Sequence, residues 1–318
     1  MNDLISILDN AALQGLSYGI AVLGIAIAFR GLRYPDLTAD GSFLIGSCVF
    51  SALITAGVHW FWATWVGIFF GGIAGGCTAL IHTKFGVNKL LSGILTSMIC
   101  YSIAFRVLSG KSTVSIPEKT TFFQYGASLD NMTGSTLSSL NMGSILICTL
   151  VAIIAATIIF CLMKSELGLF LRATGENPTF IERLGRKPHN YQVIGLMISN
   201  AIISLSGIIV TSRQGFANVN MGFGIIITLV AALVIGEEIS KHLKFNPASK
   251  LTSRVISPFI GSFIYFLLYI LILRASIRNW IPINVQPTDL KMFSALLVVI
   301  VVAIRWKTDS QHEEVLPL

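Results

Sequence analysis

The chain has 318 residues, 54% of them hydrophobic and only 12% charged, with a mean hydropathy of +0.77 and a formal net charge of +7. Soluble domains carry about 25% charged residues, so a soluble globular fold is excluded and the surplus apolar surface must face lipid. Lipid satisfies no backbone groups, which leaves helices or a closed barrel. The apolar runs are continuous and lack a period of two, which selects helices.

Nine apolar segments follow in chain order: Ala11–Phe29, Gly41–Ala56, Phe61–Ile81, Val87–Phe105, Gly143–Met163, Tyr191–Thr211, Gly222–Gly236, Val255–Leu273 and Met292–Ile304. The predicted fold is therefore all-α, a polytopic helical membrane protein forming one transmembrane unit over residues 1–318. Segments of sixteen residues or fewer fall short of the roughly 20 needed to span a bilayer, so broken or re-entrant elements are expected. With the N-terminus outside, 15 of the 22 Lys and Arg residues fall in inner loops, which favours N-out, C-in. Trp60, Phe61, Trp62 and Trp65 then mark an outer interface. The first residues, with Asp3 and Asp9, do not form a cleavable leader.

Between the first two segments runs Tyr34-Pro35-Asp36-Leu37-Thr38-Ala39-Asp40-Gly41-Ser42. Pro35 stops the preceding helix, and Thr38 and Ser42 are candidate caps for the next. Two readings stand open: a cytoplasmic turn with solvated Asp36 and Asp40, or a broken helix entering the membrane. The third segment contains Gly71-Gly72-Ile73-Ala74-Gly75-Gly76, whose small residues suit close helix packing.

Residues 106–142 are rich in Ser, Thr and Gly and read as an external loop. Gly110-Lys111-Ser112-Thr113 imitates the end of a phosphate-binding loop, but the required first glycine is replaced by Phe105. Any ATP must therefore bind another chain. Asn131-Met132-Thr133 fits a glycosylation acceptor without further support. The five cysteines all lie in apolar runs with no CxxC pair, and the five histidines have no ligand spacing. No metal site and no catalytic residues are indicated, so an enzyme is not expected. The positive charge reads as membrane orientation and not as nucleic-acid binding.

The basic loop at 164–190 contains an N-cap, Asn177, a proline at the first helical position, Pro178, and a C′ glycine, Gly185. The implied helix Pro178–Leu184 puts Phe180, Ile181 and Leu184 on one face. Two turns are unstable alone, so this helix must pack on a cytoplasmic partner or on its own membrane domain. Further on, Gln214, Asn218 and Asn220 interrupt two apolar segments, as either helix caps or contacts to a polar solute. Glu237 and Glu238 lie near the inner boundary, facing the path or pairing with Lys241.

Three stretches together resemble a known family: Pro35–Ser42, then Gly168-Leu169-Phe170-Leu171-Arg172-Ala173-Thr174-Gly175-Glu176-Asn177-Pro178, then Gln214-Gly215-Phe216-Ala217-Asn218-Val219-Asn220-Met221-Gly222. Pro287-Thr288-Asp289-Leu290-Lys291 adds to the set. Their order and spacing are similar to the ABC-importer permeases of the branched-chain amino-acid and ribose permease superfamily, closest to an uncharacterised branch that includes tryptophan and tyrosine importers. Two departures are the basic run Arg186-Lys187-Pro188-His189 and the acidic pair Glu237-Glu238.

The resemblance implies a bacterial inner-membrane importer for a small solute such as an amino acid. It implies a homodimer or a pair with a related permease, cytoplasmic ABC ATPase subunits that hold ATP and Mg, and an external solute-binding protein or lipoprotein. This chain itself holds no cofactor. By the same resemblance Arg172, Thr174, Gly175, Glu176, Asn177, Pro178, Phe180, Ile181, Leu184 and Gly185 form the ATPase-coupling element. Asp36, Thr38, Asp40, Ser42, Gln214, Asn218 and Asn220 lie near the translocation path. Rival readings are an ion-gradient-driven secondary transporter using Asp36, Asp40 or Glu237, and a non-transporting membrane scaffold.

Overall fold

The computed structural model describes residues 2–117, 121–126, 142–242 and 250–277, with Met292, Ala295, Leu296 and Val299. Eight of the nine predicted segments fall on helices; the ninth, Met292–Ile304, lies largely outside the described residues. In chain order the helices are α1 (Asn2–Ala26), continued by a π-helical turn at Ile27–Gly31, α2 (Ala39–Thr55), α3 (Trp60–Phe85), α4 (Lys89–Val107), α5 (Met142–Lys164), α6 (Glu166–Glu176), α7 (Pro178–Arg183), α8 (Pro188–Gln214), α9 (Ile225–His242) and α10 (Lys250–Ile277). Six of these elements, α1 with its π-turn, α3, α4, α5, α8 and α10, are long and apolar enough to cross a membrane, and α2 is a shorter apolar helix. The protein is a polytopic all-α membrane protein.

Helix α8 is the centre of the bundle. Its hydroxyls and amide bond across to its neighbours where side chains are too small to hold helices apart. Ser199 Oγ donates to the Gly24 carbonyl of α1 at 2.8 Å, and Ser206 Oγ to that of Ser17 at 2.7 Å, which sets α1 and α8 antiparallel. Ser204 Oγ donates to the Gly67 carbonyl of α3 at 2.8 Å, and Ser42 Oγ of α2 to Asn200 Oδ1 at 2.6 Å. The Gly71–Gly76 run is a packing surface. A Cβ on Gly75 would stand 2.8 Å from Asn200 Cβ, whereas one on Gly72 would meet nothing closer than 3.5 Å.

On the other flank α10 runs antiparallel to α1, with Gly15 against the Phe263 backbone and Gly19 against Phe259. Helix α9 lies beside α10, Gly236 against Ser257 and Gly261 against Ala232 and Gly236. The predicted segment starting at Gly222 is corrected: α9 begins at Ile225, and residues 219–224 form turns. These turns reach inward until Gly222 rests on the backbone of Asp40. Val219 and Gly222 of these turns are buried while Asn220 and Phe223 are exposed; irregular backbone at membrane depth is tolerated where it is covered by protein or lines a water-filled cavity.

Two short strands, β1 (Thr113–Ser115) and β2 (Phe216–Asn218), pair antiparallel with Thr113 opposite Asn218 and Ser115 opposite Phe216. They tie the segment after α4 to the segment after α8. The region expected as one external loop thus holds a strand and a helical turn at 123–126; residues 118–120 and 127–141 are outside the described set.

The contrast within the glycine run is measurable. Gly75→Ala should destabilise the protein by about 1–3 kcal/mol through overpacking, while Gly72→Ala should be close to neutral. Thermal unfolding of the two variants in one detergent checks this; equal midpoints would contradict the packing described.

Candidate functional site

The first helix breaks at a defined place. After the π-turn, Leu32–Thr38 runs without regular structure, yet Leu32, Tyr34, Asp36 and Thr38 are all buried. Arg33 adopts φ 48°, in the left-handed region uncommon for a non-glycine residue. This settles the earlier alternative in favour of a broken helix, because a solvated turn would expose Asp36, which is 0% exposed.

A buried carboxylate requires hydrogen-bond partners, and Asp36 has them. Its Oδ1 accepts from the Thr38 N–H at 2.9 Å and its Oδ2 from Asn200 Nδ2 at 2.6 Å. Asn200 in turn accepts from Ser42 at 2.6 Å, so one amide joins the break, α2 and α8. Thr38 and Ser42 were expected to cap α2. Thr38 occupies the N-cap position but makes no side-chain cap bond; its hydroxyl shares a hydrogen bond with Thr78 of α3 at 2.6 Å, and Ser42 turns to Asn200. Tertiary partners outcompete the local caps here because both hydroxyls are fully buried. Tyr34 completes the fastening, its hydroxyl 2.9 Å from Ser92 Oγ of α4.

Asp40 is bonded as well. Its carboxylate caps α9, accepting from the Gly224 N–H at 2.9 Å and the Ile226 N–H at 2.8 Å. At the far end of α9, Glu237 accepts both Nε and Nη2 of Arg30, on the π-turn, in a bidentate ion pair. Glu237 was expected to pair with Lys241 or face a path; its partner here is Arg30, so α9 is held by Asp40 of α2 at its start and by Arg30 of the π-turn toward its end. Sequence reasoning missed Asn200, Thr78 and Arg30. The available signal was Asn200 itself, an amide in the middle of an apolar run, since polar groups inside a membrane need a partner.

Gln214 and Asn220 are exposed near β2, and Asn218 is half-buried. Asn218 donates to Thr113 Oγ1 at 2.7 Å and accepts from the Asn220 N–H at 2.7 Å, so it fastens the strand pair and turns the chain.

The 164–190 region is more helical than expected, with the additional helix α6 ahead of α7. Asn177 Oδ1 accepts from the Phe180 N–H at 3.2 Å, Pro178 is in the first turn, and Gly185 has φ 72°. Arg186 N–H reaches the Ile181 carbonyl at 3.1 Å and Gly185 N–H that of Glu182 at 2.9 Å, the two bonds of a Schellman ending. Helix α7 ends at Arg183, with Leu184 as its C-cap. The single apolar face expected of Phe180, Ile181 and Leu184 is split. Ile181 is fully buried in the protein, whereas Phe180 and Leu184 are 52% and 53% exposed.

Helix α6 anchors this unit. Leu171 and Thr174 are buried, and Arg172 donates to the Gly168 and Met163 carbonyls at 3.1 and 3.2 Å, closing the end of α5. A Cβ on Gly175 would fall 2.7 Å from the Leu32 carbonyl carbon. The coupling candidate therefore rests backbone to backbone on the broken segment. Glu176 is exposed beside it. Among the described residues no group of His, Cys, Asp and Glu could hold a metal ion.

The model of the branched-chain amino acid transport system permease component matches residues 7–304. The chain belongs to this family. Relatives include a tyrosine transport system permease protein of Clostridioides difficile (strain R20291), 31% identical over 299 residues, covering 94% of this chain and 90% of the relative. An uncharacterized protein of Rickettsia prowazekii (strain Madrid E) is 30% identical over 303 residues, covering 94% and 96%. The nucleoside ABC transporter permease NupC of Lactococcus lactis subsp. cremoris (strain MG1363) is 24% identical over 268 residues, covering 80% and 81%. No solved structure matches the chain. The protein is thus a permease component of a transport system and not an enzyme.

In this permease Asn200→Ala should leave Asp36 Oδ2 without its partner and cost about 2–3 kcal/mol. Thr38→Val, which leaves that carboxylate bonded to Asn200, should cost less. Thermal midpoints of the purified variants test the order, and a larger loss in Thr38→Val would show that the amide is not the key partner.

Proposed function

We propose that the permease is the membrane subunit of an ATP-driven importer for an amino acid or a related small solute, powered by separate cytoplasmic ABC ATPases. The observation that carries the coupling is the split face of α7. Ile181, Leu171 and Thr174 hold the α6–α7 unit on the membrane domain, while Phe180 and Leu184 remain half-exposed among the basic residues Arg183, Arg186 and Lys187. A partner surface with an apolar recess and acidic rim suits that combination. Gly175 then passes any movement of the partner directly to the Gly31–Leu32 backbone.

The orientation proposed is N-out, in a bacterial inner membrane. The π-turn, the α6–α7 unit and the adjoining helix ends bring Arg30, Arg33, Lys84, Lys89, Lys164 and Arg172 to one end of the bundle, as a cytoplasmic face requires. The opposite end carries Trp62 and Trp65, both strongly exposed as interfacial indoles are.

In this reading Gln214, Asn218 and Asn220 border the outer part of the path. Asp36, Thr38, Asp40 and Ser42 hold its moving wall in place from behind. The hydrogen bonds of Asp36 and Asp40 and the Arg30–Glu237 pair occupy the carboxylates that an ion-driven transporter would need. The exposed apolar faces of α3, α4 and α5 suit lipid and a second permease subunit, identical or related. The tyrosine permease relative supports an amino-acid solute. An external solute-binding protein delivers it, and ATP with Mg belongs to the ATPase.

Phe180→Asp should weaken ATPase association at least tenfold, the equivalent of about 1.5–3 kcal/mol for one docked apolar side chain, with membrane insertion intact. Ile181→Asp should instead lower the thermal midpoint of the isolated permease. Co-purification of ATPase with Phe180→Asp at the wild-type level would remove the coupling assignment.

A further inference from the structure

The polar ties that hold the π-turn and the break after it are not alike. Tyr34, Asp36 and Thr38 make theirs with buried side chains. Parting such a bond leaves a polar group away from water, which is costly. Arg30 and Glu237 are bonded with their side chains 45% and 22% exposed. Both charges take up water when they separate, so the loss on parting is small. Among these ties this is the one suited to opening and closing repeatedly.

Its position gives the opening a consequence. Arg30 lies on the π-helical turn Ile27–Gly31, and such turns inside longer helices recur at functional sites. The next two residues, Gly31 and Leu32, are the backbone on which Gly175 of α6 rests, and Arg33 follows at φ 48°. Glu237 lies toward the end of α9, whose start is capped by Asp40. The pair therefore bridges the turn that touches the α6–α7 unit and a helix whose other end meets the turns after β2. Both Nε and Nη2 of Arg30 donate to the carboxylate. A planar fork bonded at two points accepts one relative orientation, so a small displacement of either element breaks both bonds together.

We propose that the Arg30–Glu237 pair is a conformational latch: it is closed in the arrangement described here and parts when the α6–α7 unit is displaced, releasing the end of α9. This rests on the ATP-driven reading above and adds the contact that must break in each cycle.

The test uses the permease assembled with its ATPase in vesicles and reads ATP turnover. A latch resists the displacement, so Arg30→Gln and Glu237→Gln should each raise turnover about threefold. That change equals about 0.7 kcal/mol, the scale of a partly exposed ion pair. The exchange of Arg30→Glu with Glu237→Arg should bring turnover back toward the wild-type rate. Unchanged or lowered turnover in the single variants overturns the proposal, as does an exchanged pair no closer to wild type than they are. Lowered thermal midpoints without a gain in turnover would make the pair a static brace and overturn it equally.

A second measurement locks the contact. Arg30→Cys and Glu237→Cys are joined by a reducible bismaleimide, with the exposed native thiols removed as Cys77→Ala and Cys161→Ala. Peptide mass spectrometry establishes the linkage. Turnover should fall roughly tenfold, in step with the linked fraction, and return on reduction, because opening the latch is required in every cycle. Full turnover in the linked complex overturns the proposal. An active complex whose turnover ignores the pair removes the latch alone. A wild-type permease that recruits no ATPase removes the ATP-driven reading and the latch with it.

Discussion

A chain that leaves helical geometry inside a membrane must satisfy every freed polar group from within the protein. The bond from Asn200 to Asp36 is where this permease meets that requirement, and the rest of its interior is arranged around it. Asn200 holds the carboxylate with its Nδ2 and receives Ser42 with its Oδ1, so the break after α1, the start of α2 and the centre of α8 share one amide. Thr38 reaches α3 and Tyr34 reaches α4 from the same short segment. Four helices are thereby registered against seven residues of irregular backbone.

That registration also explains the abundance of small residues. Within lipid the apolar side chains gain little by leaving lipid for one another, so helices associate through close backbone approach and short polar bonds. Gly67, Gly71 and Gly75 let α3 lie against Ser204 and Asn200, and Gly15 and Gly19 do the same for α1 against α10. The hydroxyls of Ser199, Ser204 and Ser206 then reach carbonyls on neighbouring helices. A larger residue at these positions would separate the helices and break those bonds together.

The two ends of the bundle differ in chemistry, and the broken segment communicates with both. Toward one end it carries Arg30, bonded to Glu237, and the backbone on which Gly175 of α6 rests. Toward the other, Asp40 caps α9 and supports the turns that descend from β2. A displacement of the α6–α7 unit therefore has a short mechanical route to α9 and to the turns above it. Asp40 satisfies two amides at the start of α9, and Glu237 holds the guanidinium of Arg30.

The amino-acid order by itself determined that the chain spans a membrane as helices, where eight of its segments lie, and the caps of α7. Those properties follow from continuous apolar runs and from local signals such as Asn177, Pro178 and Gly185, which act within a few residues. Motif order also disclosed the permease family. Tertiary structure alone decided which polar residues face one another. Thr38 and Ser42 had the composition of caps, and only the arrival of Thr78 and Asn200 turned them across the bundle. Ile181, Phe180 and Leu184 shared a helical face in sequence, and only the docking of α7 buried the first and left the others outside. Asp36 and Glu237 looked equally able to line a path. Partners more than a hundred residues away settled Glu237 and Asp36. Such pairings depend on helix register and depth in three dimensions, which no local pattern encodes.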